Sequence, residues 1–184
     1  MSSLYRIPVA LLLRDVPSTM NLDFLAPFDA QGEFEPRGAA ETDVAPDADV
    51  HVVLELQSFV GGLRAKGTLS VPWFGVCRRC SVRVEGVATV AVRERYVDDL
   101  EPGDEEAYPI VNDMIDLEPM VHDAILLELP LAPLCREDCQ GLCLYCGGDR
   151  NEILCNCQAP VDARWATLEG LKFADDSSDD ANEA

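Results

Sequence analysis

Eight cysteines, all between Cys77 and Cys157, are the residues of this 184-residue chain whose type and spacing imply chemistry most directly. They fall into four pairs: Cys77-Arg78-Arg79-Cys80, Cys135 with Cys139, Cys143-Leu144-Tyr145-Cys146, and Cys155-Asn156-Cys157. Tetrahedral Zn²⁺ takes four soft ligands at about 2.3 Å, usually as two chelating pairs. A C-x2-C turn sets two sulfurs at the span one metal needs, so each pair is half a site. Eight thiols then make two four-thiolate sites, and two structural zinc ions are the expected cofactor. In a secreted chain the same count would read as four disulfides, whereas clustered pairs in a reducing compartment favour metal.

Spacing suggests how the ligands divide. Cys143, Cys146, Cys155 and Cys157 are close enough to form a compact local module, which leaves Cys77 and Cys80 to join Cys135 and Cys139. That second site closes a long loop, but each doubling of loop length costs only about 0.6 kcal/mol. Structural zinc binding contributes on the order of 10–16 kcal/mol in small peptides, so closure is feasible. Other divisions of the eight remain open on spacing alone. A catalytic zinc keeps three protein ligands and an open position. His51 and His122 lack ligand-like spacing and read as ordinary polar residues, so no catalytic residue is assigned and the expectation is a non-enzyme. A thiol-redox reading lacks the surrounding βαβ pattern, and no carboxylate or histidine constellation suits a nuclease.

The elements that must position these thiols follow from hydrophobic period. Residues 4–14 read as an opening strand, ended by Asp15-Val16-Pro17-Ser18, and residues 30–49 as a surface loop. His51 to Phe59 alternates around Leu54 and Leu56, Gly61-Gly62 reads as a turn, and Leu63, Ala65, Leu69 and Val71 then face one way, which predicts a β-hairpin. From Ser81 to Val97, Val82, Val84, Ala88, Val90, Val92 and Tyr96 share one face, opposite Arg83, Glu85, Thr89, Arg93 and Arg95. Leu117, Met120, Val121, Ala124 and Ile125 recur at helical spacing behind Asp116, and Pro130 ends that helix. A short helix is predicted from Asp162, with Trp165, Leu168 and Leu171 as its stripe. The predicted fold is α+β: mainly antiparallel β-sheet, one covering helix, and a C-terminal cysteine-rich zinc-binding segment. By residues, 1–134 is a β-rich domain with a helix near 117–129, 135–173 a zinc module with a short helix, and 174–184 a disordered acidic tail.

Charge limits the partners. The chain holds 34 acidic and 14 basic residues for a formal charge of -20, with 48% apolar and 26% charged residues overall. Those proportions suit a folded domain, and the acidity excludes a broad basic surface for nucleic acid. Two zinc sites of four thiolates would each add -2, taking -20 to about -24. Such a body suits a basic partner, although Glu101, Asp104, Glu105 and the tail read equally as solvated surface. One local exception is Arg78 and Arg79 in the first knuckle, with Arg83, Arg93 and Arg95 along the next strand, a narrow stripe for limited phosphate contact. The competing reading is hydrogen bonding near the thiolates and pairing with Glu85. No run approaches the roughly 18 apolar residues of a membrane span, and Val9 to Leu13, followed by Arg14 and Asp15, is too short for a signal peptide. The expectation is a cytoplasmic protein with no membrane contact.

The stretch from Leu129 to Cys143 (Leu-Pro-Leu-Ala-Pro-Leu-Cys-Arg-Glu-Asp-Cys-Gln-Gly-Leu-Cys), with Cys146-Gly147, Asn151, Cys155-Asn156-Cys157 and Asp162-Ala163-Arg164, resembles the bacterial YceD family, the large ribosomal RNA subunit accumulation proteins. Cys77-Arg78-Arg79-Cys80 in a β segment and the helix leading into Leu129-Pro130 fit the same pattern, so the resemblance covers most of residues 50–173. Leu144 stands where many relatives have proline, and Ala163 interrupts an expected Asp-Pro-Arg; both leave the cysteine frame intact. The resemblance implies a role in accumulation or processing of 23S ribosomal RNA and in building the large ribosomal subunit. With the charge, it points to a basic ribosomal protein or a large-subunit precursor as partner. The alternative expectations are a zinc-stabilised protein-interaction module unrelated to ribosomes and a thiol redox protein.

Overall fold

The structure, a computed structural model, describes residues 4–28, 42–45, 47–99, 107–157 and Arg164. The predicted helix from Asp162 with Trp165, Leu168 and Leu171, the acidic tail, and the loop residues Glu101, Asp104 and Glu105 lie outside the described residues. The chain divides into two compact units, Met1–Gly141 and Leu142–Ala184. The boundary at Gly141 lies seven residues beyond the predicted one at 134, so Cys135 and Cys139 belong to the first unit.

In chain order the elements are β1 (Arg6–Pro8), α1 (Ala10–Arg14), β2 (Thr19–Pro27), β3 (Thr42–Val44), β4 (Asp49–Phe59), β5 (Gly62–Val76), β6 (Arg83–Val97), β7 (Ala107–Pro109), β8 (Met114–Asp116) and α2 (Glu118–Glu128). The main sheet runs β2-β4-β5-β6-β7, and β3 also pairs with β5; β1 and β8 form a separate ribbon. All pairs are antiparallel except β6 with β7, so the mainly antiparallel prediction holds with one parallel edge.

Alternation explains the layers. Val50, Val52, Leu54 and Leu56 of β4, Leu63, Ala65, Leu69 and Val71 of β5, and Ala88, Val92 and Tyr96 of β6 are buried on one face. On β6 the even-numbered face predicted from sequence is the inner one, although Val82 precedes the strand and is exposed. The same core takes Met120, Val121 and Ile125 of α2, which packs against β6 and β5. Asp116 ends β8, and its Oδ1 accepts the Glu118 backbone N–H at 3.0 Å, with Pro119 in the first turn. Pro and an acid at the N-terminal turn are both favourable there.

Several elements depart from the sequence reading. Residues 4–14 are not one strand: Arg6–Pro8 pairs with β8, and Ala10–Arg14 is a helical turn that buries Leu12. A run of apolar residues such as Val9 to Leu13 has no period by which to separate strand from helix. Within the predicted loop, Thr42–Val44 forms β3 against Gly75–Trp73. The hairpin turn is Val60-Gly61, since Phe59 pairs with Gly62. Gly61 takes the left-handed φ of +91, while Gly62 is paired in the strand at a place where a Cβ would overlap the Tyr96 carbonyl. Lower on the hairpin, Trp73 lies across Gly86, its indole within 2.9 Å of where a Cβ would sit.

Candidate metal centre

β5 ends at Val76 and β6 begins at Arg83, so Cys77 and Cys80 sit in the connection between two 15-residue strands. That connection is a tight knuckle. The Cys77 N–H donates to the Val82 carbonyl at 2.8 Å, and the Ser81 N–H to the Cys77 carbonyl at 2.8 Å. Cys143 to Gly148 repeats the same turn: Cys143 N–H to the Gly148 carbonyl at 2.8 Å, and Gly147 N–H to the Cys143 carbonyl at 2.9 Å. The residue fourth after each leading cysteine has positive φ, Ser81 at 60 and Gly147 at 71. The turn swings backbone N–H groups toward sulfur, as anion-binding nests do.

The structure brings the eight sulfurs into two groups, Cys77, Cys80, Cys135 and Cys139, and Cys143, Cys146, Cys155 and Cys157, each with its Sγ atoms within 4.8 Å of one another. In the first, Cys77 Sγ lies 3.9 Å from Cys139 Sγ and Cys80 Sγ 3.6 Å from Cys135 Sγ. All eight are free thiols. A tetrahedral ion bonded to sulfur at about 2.3 Å requires S···S of about 3.8 Å, and a disulfide about 2.05 Å. The first group therefore fits a metal without rearrangement, and both groups could hold one. Among the described residues, no other set of three or more His, Cys, Asp or Glu ligand atoms gathers in this way.

Other contacts hold the first group in place. Cys77, Cys80 and Cys139 are buried, with Val84 packed against them. The Arg78 N–H donates to the Pro133 carbonyl at 2.9 Å, and Arg79 Nη1 donates to the Cys139 carbonyl at 2.8 Å. Gly141 has φ +70, and a Cβ there would meet the Arg79 carbonyl at 2.9 Å. In the second group only Cys143 is buried; Cys146 and Cys157 are exposed, as are Leu144, Tyr145, Ile153 and Leu154 around them. Asp149 braces that unit, its Oδ1 accepting the Asn151 N–H at 2.8 Å and its carbonyl the Ile153 N–H at 2.8 Å.

The thiols in each group are unequal. Burial pushes Cys77 up, but the N–H groups of Cys135, Cys80 and Arg79 outweigh it and bring the thiol down to about 6. The N–H groups of Cys146 and Tyr145, with the Cys155 thiol, lower Cys143 to about 6 as well. Desolvation and the Cys139, Cys80 and Cys77 sulfurs push Cys135 up to about 12, although its side chain reaches the surface. Cys157 is pushed up to about 12 by Cys146 and Cys143. Cys77 and Cys143 are thus the most acidic thiol described in each group, and a cation that draws in the raised thiols displaces their protons.

The remaining predicted residues are not gathered at one place. His51 Nε2 is 2.7 Å from Asp23 Oδ1, and His122 stacks on Phe28 at a 5.1 Å centroid separation. The arginine stripe is split. Arg83 pairs with Glu85 at 2.7 Å and covers the Phe74 ring at 5.1 Å. Arg93 stands ten residues further along the strand, about 33 Å away. Sequence reasoning missed what lies opposite Arg93 and Arg95, namely Lys66 and Arg64 on β5. The signal was available in the alternation of β5, where both occupy the outward positions.

Fold and site together define a β-rich protein clamped by cysteine tetrads of the metal-binding kind. The family profile described as "Large ribosomal RNA subunit accumulation protein YceD" matches residues 65–172, more than half of the chain, and the chain belongs to that family. An uncharacterized protein of Mycobacterium tuberculosis is 36% identical over 127 residues, covering 62% of this chain and 58% of that protein. An uncharacterized protein of Mycobacterium leprae is 31% identical over 133 residues, 70% of this chain and 61% of its own length. The chloroplastic large ribosomal RNA subunit accumulation protein YCED homolog 1 of Zea mays is 32% identical over 75 residues, 40% of this chain and 26% of its own. The chain thus spans less than two thirds of the mycobacterial relatives it matches. No solved structure matches it. No helix among the described residues is long and apolar enough to cross a membrane.

Proposed function

We propose that this protein is a non-enzymatic factor of the cytoplasm that supports accumulation and processing of 23S ribosomal RNA and assembly of the large ribosomal subunit. On this reading it docks on a basic ribosomal protein or on an assembly intermediate. The observation that carries the reading is the family match across residues 65–172, which runs from β5 through α2 and both tetrads. The formal charge of -20 supports a basic partner, because opposite charge speeds encounter and excludes other acidic proteins. The eight cysteines would hold two zinc ions, which fix coordination and add folding free energy when bound. Four thiolates fill a tetrahedral shell, which favours a structural over a catalytic ion.

Deleting the gene and measuring 23S rRNA and large-subunit precursors on a sucrose gradient tests the reading. A deficit restored by the wild-type gene supports it; normal rRNA and normal subunits would leave a zinc-stabilised interaction module unrelated to ribosomes. Titrating reactive thiols in the metal-loaded protein before and after chelation tests the redox alternative, which requires many reactive thiols before chelation.

A further inference from the structure

The outward face of the hairpin carries a sign inversion. Register places Arg64 directly opposite Arg95 and Lys66 directly opposite Arg93. All four are exposed on a sheet face whose other side is the core. Opposed residues lie about 5 Å apart at Cβ, and alternate residues along a strand about 7 Å. Four of the chain's 14 basic residues thus share one small square on a body of charge -20. Like charges directly opposed destabilise a sheet, so the square is not there for the strands' own stability. One acid moderates it on the same face, Glu55, the register mate of Lys66 on β4, and Arg64, Arg93 and Arg95 line a shared 480 Å³ concavity.

We propose that Arg64, Lys66, Arg93 and Arg95 form a phosphate-binding surface for the backbone of structured large-subunit RNA. This rests on the functional reading above and names a direct contact within it. Three of the four are arginines, whose planar fork donates to phosphate oxygens in pairs. Beyond the square the same face carries Thr68, Ala91, Ser70 and Thr89, small side chains that leave room for a stiff polyanion to lie along the strands. The contact is narrow and reads no base sequence, since phosphate contacts position without specifying. The acidic remainder of the protein repels non-specific RNA and confines the encounter to this face.

The test is fluorescence anisotropy of the full metal-loaded chain against an in vitro transcript of a large-subunit rRNA domain, from 50 to 200 mM monovalent salt. Neutralising three to four phosphates gives a log–log salt slope of about -3, or about 60-fold weaker binding across that range. The double variant Arg64→Ala/Arg93→Ala should lower the slope magnitude by about 2 and weaken binding at least about 10-fold at the low-salt end. Arg83→Ala, already engaged with Glu85 and Phe74, should leave both unchanged. Because opposed like charges are removed, the double variant should melt no earlier than wild type; Lys66→Gln/Arg95→Gln repeats the test should it fail to fold. No binding at 50 mM salt, binding untouched by both double variants, or an acidic protein rather than RNA on this face overturns the proposal. In a deletion strain, a double variant that loses RNA binding yet restores 23S rRNA fully overturns the contact and leaves the assembly role standing. A deletion without any rRNA deficit overturns the assembly role itself.

Discussion

Cys77 and Cys143 hold equivalent places in two copies of one turn, with the same pair of backbone hydrogen bonds and a positive φ four residues on. Their surroundings differ. The first turn joins two long strands, and its sulfurs meet partners as far as 62 residues away, buried beside Val84. The second gathers ligands within 143–157 and leaves Cys146, Cys157, Leu144 and Leu154 at the surface. Identical ligand chemistry therefore serves two purposes. In the first unit a metal would add to the stability of a sheet that already has a core. In the second it would stand in for a core, because so short a segment cannot bury enough apolar surface alone.

The sharpest way to break this comparison is to remove one ligand from each tetrad. Metal binding is worth on the order of 10 kcal/mol, comparable with the whole stability of a domain, about 5–15 kcal/mol. Cys77→Ser is expected to lower the cooperative melting transition of the first unit, which keeps its own core, by more than about 10 °C. Cys143→Ser should shift that transition by less than about 3 °C. Equal damage from both, read by circular dichroism, would show the two tetrads to be one system.

Chelation comes next in size. Elemental analysis should find two zinc ions per chain, and a chromophoric chelator should draw them out in two phases. The exposed tetrad should empty at least about tenfold faster, a difference of about 1.4 kcal/mol in barrier. Alkylation mapped by mass spectrometry should mark Cys146 and Cys157 before Cys77 and Cys139.

Titration sharpens the comparison differently, because it should show what the tetrads share. Cys77 and Cys143 ionise near 6 in the folded chain against an ordinary value of 9. A depressed thiol stabilises the fold fully above 9, and that contribution is lost as pH falls toward 6. Cys135 and Cys157, raised to about 12, act in the opposite sense, favouring the fold below 9 and losing that as pH rises. Thiolate absorbance of the metal-free protein should therefore persist below pH 7.5 and fall away with a midpoint near 6. Metal retention by both tetrads should fail over the same acid range, since protons compete for the sulfurs.

The smallest effects lie in the turns. Gly141→Ala meets both an unfavourable φ and the Arg79 carbonyl, and should cost about 2–3 kcal/mol. Gly147→Ala has open space and should cost only about 1 kcal/mol. Ser81→Gly should be neutral or stabilising by up to about 1 kcal/mol.

The sequence announced its cysteines, its hairpin and α2 clearly, because each has a local signature: paired ligands, period-two alternation around Gly61, and helical spacing behind Asp116. β2 was missed because Leu25, 60% exposed, breaks the inward pattern of Met20, Leu22, Phe24 and Ala26. β3 has three residues and an acid in its middle, and only the β5 edge makes it a strand. The basic square was only half legible, because alternation turns its members outward without showing which of them meet. Its members are about thirty residues apart in sequence, and cross-strand register alone puts them side by side.

The chain has two tryptophans, Trp73 in the first unit and Trp165 in the second. Trp73 lies over Gly86, three residue pairs from the first knuckle, where its indole is shielded by the opposing strand. Replacing Trp165 with phenylalanine would leave a single tryptophan, selectively excited at the red edge of the absorption, beside the β5–β6 end that the first tetrad ties down. Its emission colour would then follow the opening of that end during metal withdrawal, without any attached dye.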